Sequence, residues 1–210
     1  MNSTEIWTLV TADIELAIKQ GIERREDSIR RGLKDKFPFA GTPEEQEVAR
    51  REQDIQSKGS EIAAQRYFKL KEPVGATGSF HSPDLGTNVQ VRWTKYSTGH
   101  LCIYGQHGSR VADNLAHYYV LVTGEIPVFC FRGWLKGREV RASWWDPKKH
   151  VWWVPQGALH PISLLCVASG LKRLLRDPRL DDLPPDYFTS YPKPVLPIAK
   201  TVQKVLDKIM

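Results

Sequence analysis

At Pro73 the texture of the chain changes from helical stripes to short alternating runs, and that switch limits the architectures open to it. Before it, Val10, Ile14, Ala17, Ile18, Gly21 and Ile22 recur at helical spacing, with Glu15, Lys19 and Glu23 off the stripe. Pro38 breaks the pattern, because the residue before a proline is pushed out of the helical region. Thr42-Pro43-Glu44-Glu45 restarts it with a capping hydroxyl, a proline in the first turn and two acids beside the helix N-terminus. The second helix is expected to run to about Lys69, burying Ile55, Ile62, Ala63, Tyr67 and Leu70. Gly59 interrupts it, as a kink or as a close packing contact.

After Pro73, glycines punctuate a loop, and strand-like runs follow at residues 88–93, 100–104, 118–122 and 128–131. Gly124 and Gly133 read as turns, and residues 144–145 and 151–154 flank Asp146-Pro147-Lys148-Lys149 as a hairpin tip. Helix is expected again at residues 171–175 and 199–209, on either side of an extended segment, 177–198, that holds six prolines. Helices, then a mainly antiparallel sheet, then helix describe an α/β or α+β protein.

Charge is unevenly placed along the 210 residues. The net is −1 over residues 1–72, +4 over 73–150 and +3 over 151–210, so a polyanion would meet the later two-thirds. Cys102, Cys130 and Cys166 form no C-x-x-C pair, and the six histidines show no ligand spacing, so a zinc site or disulfide framework is not indicated. Glu5, Asp13 and Glu15 argue against a signal peptide, and no apolar run is long enough to span a bilayer. The expectation is a cytoplasmic protein with no membrane partner.

One stretch carries chemistry. In Pro83-Asp84-Leu85-Gly86 an acid sits in a turn, and the strand that follows alternates Gln90, Arg92 and Thr94 with Val89, Val91 and Trp93. Upstream, Glu61 stands at the edge of the second helix's apolar stripe. A helical carboxylate, a turn aspartate and a strand polar-x-cation are the parts of a divalent-metal phosphodiesterase site. Oxygen ligands hold the metal, and a cation offsets charge gathering on phosphate. Each residue also has a plain alternative: Asp84 as an ordinary turn residue, Glu61 as a solvated helix residue, Arg92 as a structural ion-pair partner.

In this pattern the chain resembles the restriction-endonuclease-like, or PD-(D/E)xK, nuclease superfamily. Pro83-Asp84 stands for PD and Gln90-Val91-Arg92 for (D/E)xK. It is similar in particular to small phage-type members that share Gly59-x-Glu61-x-Ala63, Pro83-Asp84-x-Gly86, Val91-Arg92, Tyr119-Val120-Leu121-Val122-x-Gly124 and Gly133-Trp134 in this order. The resemblance covers about residues 50–160. It implies a central mixed sheet flanked by helices over residues 41–176, with an N-terminal helical arm at 1–40 and a proline-rich extension at 177–210.

It further implies a Mg²⁺- or Mn²⁺-dependent nuclease acting on DNA, encoded by a phage in a bacterial host. Glu61, Asp84, Gln90 and Arg92 would be catalytic, with Asp84, Glu61 and the Val91 carbonyl as metal ligands. Two residues depart from the pattern: Gln90 removes a negative charge, and Arg92, always protonated, cannot serve as a base. The alternative is therefore a non-catalytic nucleic-acid-binding or phage accessory protein that keeps the fold. Its extension would offer a site for a protein partner, and homodimerisation stays open.

Five of the seven tryptophans fall between residues 134 and 153, among Arg138, Arg141, Lys148 and Lys149. With Lys95, Arg132 and Lys136 these cations are the expected nucleic-acid contacts, and the rings are either base-stacking surfaces or a small aromatic core. Where tryptophans are adjacent, as at 144–145 and 152–153, alternation sends one ring inward and one outward.

Overall fold

Two helices carry the first third of the protein. The computed structural model describes residues 5–32, 39–70, 83–86, 88–106 and 112–165. The helices expected at 171–175 and 199–209, the proline-rich segment and Cys166 lie outside the described residues. α1 spans Thr11–Arg30 and α2 spans Pro43–Tyr67. α2 begins with the expected cap: the Thr42 hydroxyl accepts from the Glu45 N–H at 3.3 Å, and the Glu45 carboxylate accepts from the Thr42 N–H at 2.8 Å.

The helices touch where α1 has Gly21, since a Cβ there would lie 2.6 Å from the Ile55 Cα. Gly59 proves to be a packing contact inside a continuous helix. A Cβ on it would meet Ile126 at 2.9 Å and Phe129 at 3.1 Å, so its absence lets α2 settle onto the sheet.

The first sheet contains β1 (Glu5–Thr8), β2 (Val89–Thr94), β4 (Tyr118–Glu125) and β5 (Val128–Lys136), in the order β1-β5-β4-β2. β1 is absent from the sequence reading; its four residues become a strand by pairing antiparallel with β5. β4 and β5 are antiparallel, but β2 and β4 are parallel, so this mainly antiparallel sheet is mixed. The cause is the connection: the chain leaves β2, lays down β3 (Leu101–Tyr104) in a second sheet, and re-enters at β4 in the same direction as β2. Gly133 is likewise no turn. It lies within β5 beside a register shift, at φ 140°, and the His160 carbonyl would be only 2.5 Å from a Cβ there.

The second sheet pairs β3 with β7 (Val151–Val154) and β7 with β6 (Trp145–Asp146), all antiparallel. The expected hairpin is present, its tip tied by the Asp146 carboxylate, which accepts from the Lys148 and Lys149 N–H groups at 2.9 and 3.2 Å.

The first sheet is buried on both faces. Phe129 meets α2 at Gly59, and Phe131 stacks on Tyr67 and meets Phe68 edge-on at the helix's C-terminal end. On the opposite face Tyr119, Leu121 and Leu135 form one cluster with Leu101, Ile103 and Val154 of the second sheet. The class is mixed α and β, with two helices and two sheets among the described residues. No helix among them is long and apolar enough to cross a membrane.

Candidate functional site at the free edge of β2

Among the described strands β2 pairs only with β4, and its other edge meets the preceding turn. The chain uses that edge. Leu85 and Val89 exchange backbone hydrogen bonds of 3.0 and 3.3 Å, which folds the turn back on the strand. The Asp84 carboxylate then accepts from the Val91 N–H at 2.7 Å, taking the place a neighbouring strand would occupy. Gly86 supplies the left-handed backbone of the turn, at φ 55°. Since a strand residue points its N–H and C=O the same way, the Val91 carbonyl lies on the edge that Asp84 covers.

Two charged groups flank this edge, one on each face of the sheet. On the helix side, Glu61 is 4% exposed. It bonds Arg24 through Oε1 and Lys58 through Oε2, both at 2.7 Å. Lys58 itself is only 1% exposed. On the other side, register places Gln90 beside Tyr119 and Arg92 beside Leu121, on the face that meets the second sheet. There Arg92 bonds Asp113 at 2.8 Å, and Asp113 also accepts from the Tyr104 N–H at 2.8 Å. The Arg92 guanidinium lies 5.2 Å from the centre of the Tyr119 ring and 3.5 Å from the Gln90 Oε1. Its Nε is buried without a hydrogen-bond partner among the described residues.

Thus the expected quartet is split by the strand. Glu61 approaches from the α2 face, while Gln90 and Arg92 leave β2 on the opposite face. Asp84, at the edge, feels both groups. Its pKa is pushed up to about 7, first by burial and then by the Glu61 charge, against the pull of the Val91 N–H, Arg92 and Arg24. Burial lowers the Lys58 pKa although Glu61 opposes it. For Arg92 burial works the other way from the charges of Asp113 and Asp84, and the charges win, so its pKa rises.

No group of three or more His, Cys, Asp or Glu side chains that could hold a metal occurs among the described residues. Mg²⁺, however, is commonly held by one or two carboxylates, with water and substrate oxygens completing its shell. Asp84 feels the Glu61 charge, and both Glu61 oxygens are already paired with Arg24 and Lys58. Asp84, Glu61 and the Val91 carbonyl are the residues that would hold such an ion.

The expected phosphate contacts are scattered. Arg132 donates to the Thr123 hydroxyl at 2.7 Å, Lys136 lies 4.8 Å from the Tyr118 ring centre, and Lys95 lies 5.4 Å from that of Tyr96. Arg138, Arg141, Lys148 and Lys149 are exposed, Arg141 over Trp144 and Lys149 over Trp153. Arg24, Lys58 and Asp113 are absent from the sequence reading. Lys58 carried a signal, being three residues before Glu61 on one helix face. Arg24 and Asp113 reach their partners across 37 and 21 residues, and no local pattern marks them. No family model, curated protein or solved structure matches this chain.

Proposed function

We propose that the protein hydrolyses DNA phosphodiester bonds at the Asp84 edge of β2, with Mg²⁺ or Mn²⁺, on a restriction-endonuclease-like core. The observation that carries this reading is Asp84 itself: it is pinned to the Val91 N–H at 2.7 Å on the strand edge, and burial and the Glu61 charge push its carboxyl up to about 7. Groups perturbed in this way gather at functional sites, and six ionisable side chains beside one short strand contribute little to stability by themselves.

A bound divalent ion supplies a water of lowered pKa and polarises the scissile phosphate. The chain's own residues do the rest. Lys58 and Arg24 fix the Glu61 carboxylate from two sides, so its position does not depend on rotamer freedom. Asp113 holds Arg92 in one orientation, and Arg92 stays protonated at any working pH, so it can offset the charge that builds on the phosphorus. Gln90, beside Arg92, orients water or phosphate through its amide.

The test is incubation of single-stranded, duplex and branched DNA with Mg²⁺ or Mn²⁺, beside an Asp84→Ala control. Cleavage that needs the metal and disappears in the control supports the enzyme. A second reading, binding without cleavage, is favoured by one observation: both Glu61 oxygens already carry a cation. Binding of DNA by both proteins with cleavage by neither would establish that reading over the first.

A further inference from the structure

The outer face of the second sheet plays no part in the site above. Alternation along β7 turns Trp152 and Val154 into the core and leaves Trp153 on the other side, where register sets it opposite Cys102 of β3. Trp153 is held in place. Its indole N–H donates to the Asp146 carboxylate, which also secures the Lys148 and Lys149 backbone at the hairpin tip. The Lys149 ammonium lies 5.2 Å from the centre of the ring. Cys102 stands beside Trp153 on this strip of the sheet. Its nearby acids are already engaged: Asp146 with the hairpin tip, and Asp113 with Arg92 and the Tyr104 N–H.

We propose that this strip receives a single nucleic-acid strand, one base stacking on Trp153 while a neighbouring phosphate meets Lys149. The inference rests on the DNA reading above and names its substrate class. A duplex keeps its base faces stacked inside and offers none to a lone ring, whereas a pre-oriented indole beside a cation suits an unpaired base and its phosphate.

The experiment uses the full chain in EDTA at low salt, so that cleavage plays no part. It compares fluorescence anisotropy of a labelled oligothymidylate with that of a labelled duplex of equal length. The single strand is expected to bind at least about ten-fold more tightly, and Trp153→Ala to lose about ten-fold of that affinity, the scale of one base–aromatic stack. Trp153→Phe, which keeps a ring face, should retain most of it. Lys149→Gln should flatten the salt dependence by about one released counterion. Equal or tighter binding of the duplex overturns this proposal and leaves the DNA reading standing. So does a folded Trp153→Ala variant with unchanged affinity. Binding of neither form removes both.

Discussion

Asp84→Asn should make this protein more stable, and most of all at neutral and alkaline pH. The carboxyl moves from an ordinary value of 3.8 to about 7 in the folded chain, chiefly through burial and the Glu61 charge. Between those values the unfolded chain has released its proton while the folded one keeps it, so stability falls as pH rises from about 4 to about 7 and is flat beyond. At 1.36 kcal/mol per pKa unit the full cost of the ionised carboxyl is about 4 kcal/mol. Asp84 is only half-buried by surface area. Solvent therefore screens part of this, and about 2 kcal/mol is the expected gain, or roughly 6 °C in Tm for a chain of this size. Asparagine still accepts from the Val91 N–H, so the turn is preserved. Urea unfolding in EDTA at pH 4.5 and pH 8 reads the effect: about a quarter of the gain at the lower pH, the full gain at the higher. Added Mg²⁺ should then stabilise the parent at pH 8 and leave Asp84→Asn unmoved. An equal change at both pH values, or a loss at pH 8, would refute the electrostatic account of this site.

Lys58→Met leaves Glu61 buried with only Arg24 and should cost about 3 kcal/mol by urea unfolding; adding Glu61→Gln to it should recover part of that loss, because the stranded charge is gone. Gly21→Ala should destabilise more than Gly59→Ala. The first drives a methyl to 2.6 Å from the Ile55 Cα, whereas the second meets side-chain atoms of Ile126 and Phe129 that can yield, at about 1–3 kcal/mol by thermal unfolding. Cys102, its thiol pushed up to about 11 by burial first and by Asp113 against two cations, should resist iodoacetamide at pH 8 and react once urea is added, as peptide mass mapping would show.

What could be read ahead of the structure was local. The α2 cap is a four-residue pattern whose hydrogen bonds close within it, and it formed as read. Alternation along residues 88–94 correctly separated Gln90 and Arg92 from Val89 and Val91. It could not say which face meets α2, because that is decided by the parallel pairing with β4. β1 is four residues long and is a strand only because β5 lies beside it. Gly133 was misread for a physical reason: a bulge glycine and a turn glycine both answer a need for positive φ or close approach, and one residue type serves both. In the site, Asp84 announced itself through its proline–glycine turn. Its electrical surroundings did not, since Arg24 and Asp113 arrive from distant segments.

The side chain that seals β2 also guards it. An unpaired strand edge invites another chain to dock, and here one carboxylate oxygen occupies the Val91 N–H that such a visitor would need. Asp84→Ala would therefore do two things at once, removing a charge and exposing a template for intermolecular β pairing. Asp84→Asn separates them. It discards the charge and keeps the seal, which makes it the cleaner control for cleavage, and any self-association seen in the alanine variant alone would report on the edge and not on the chemistry.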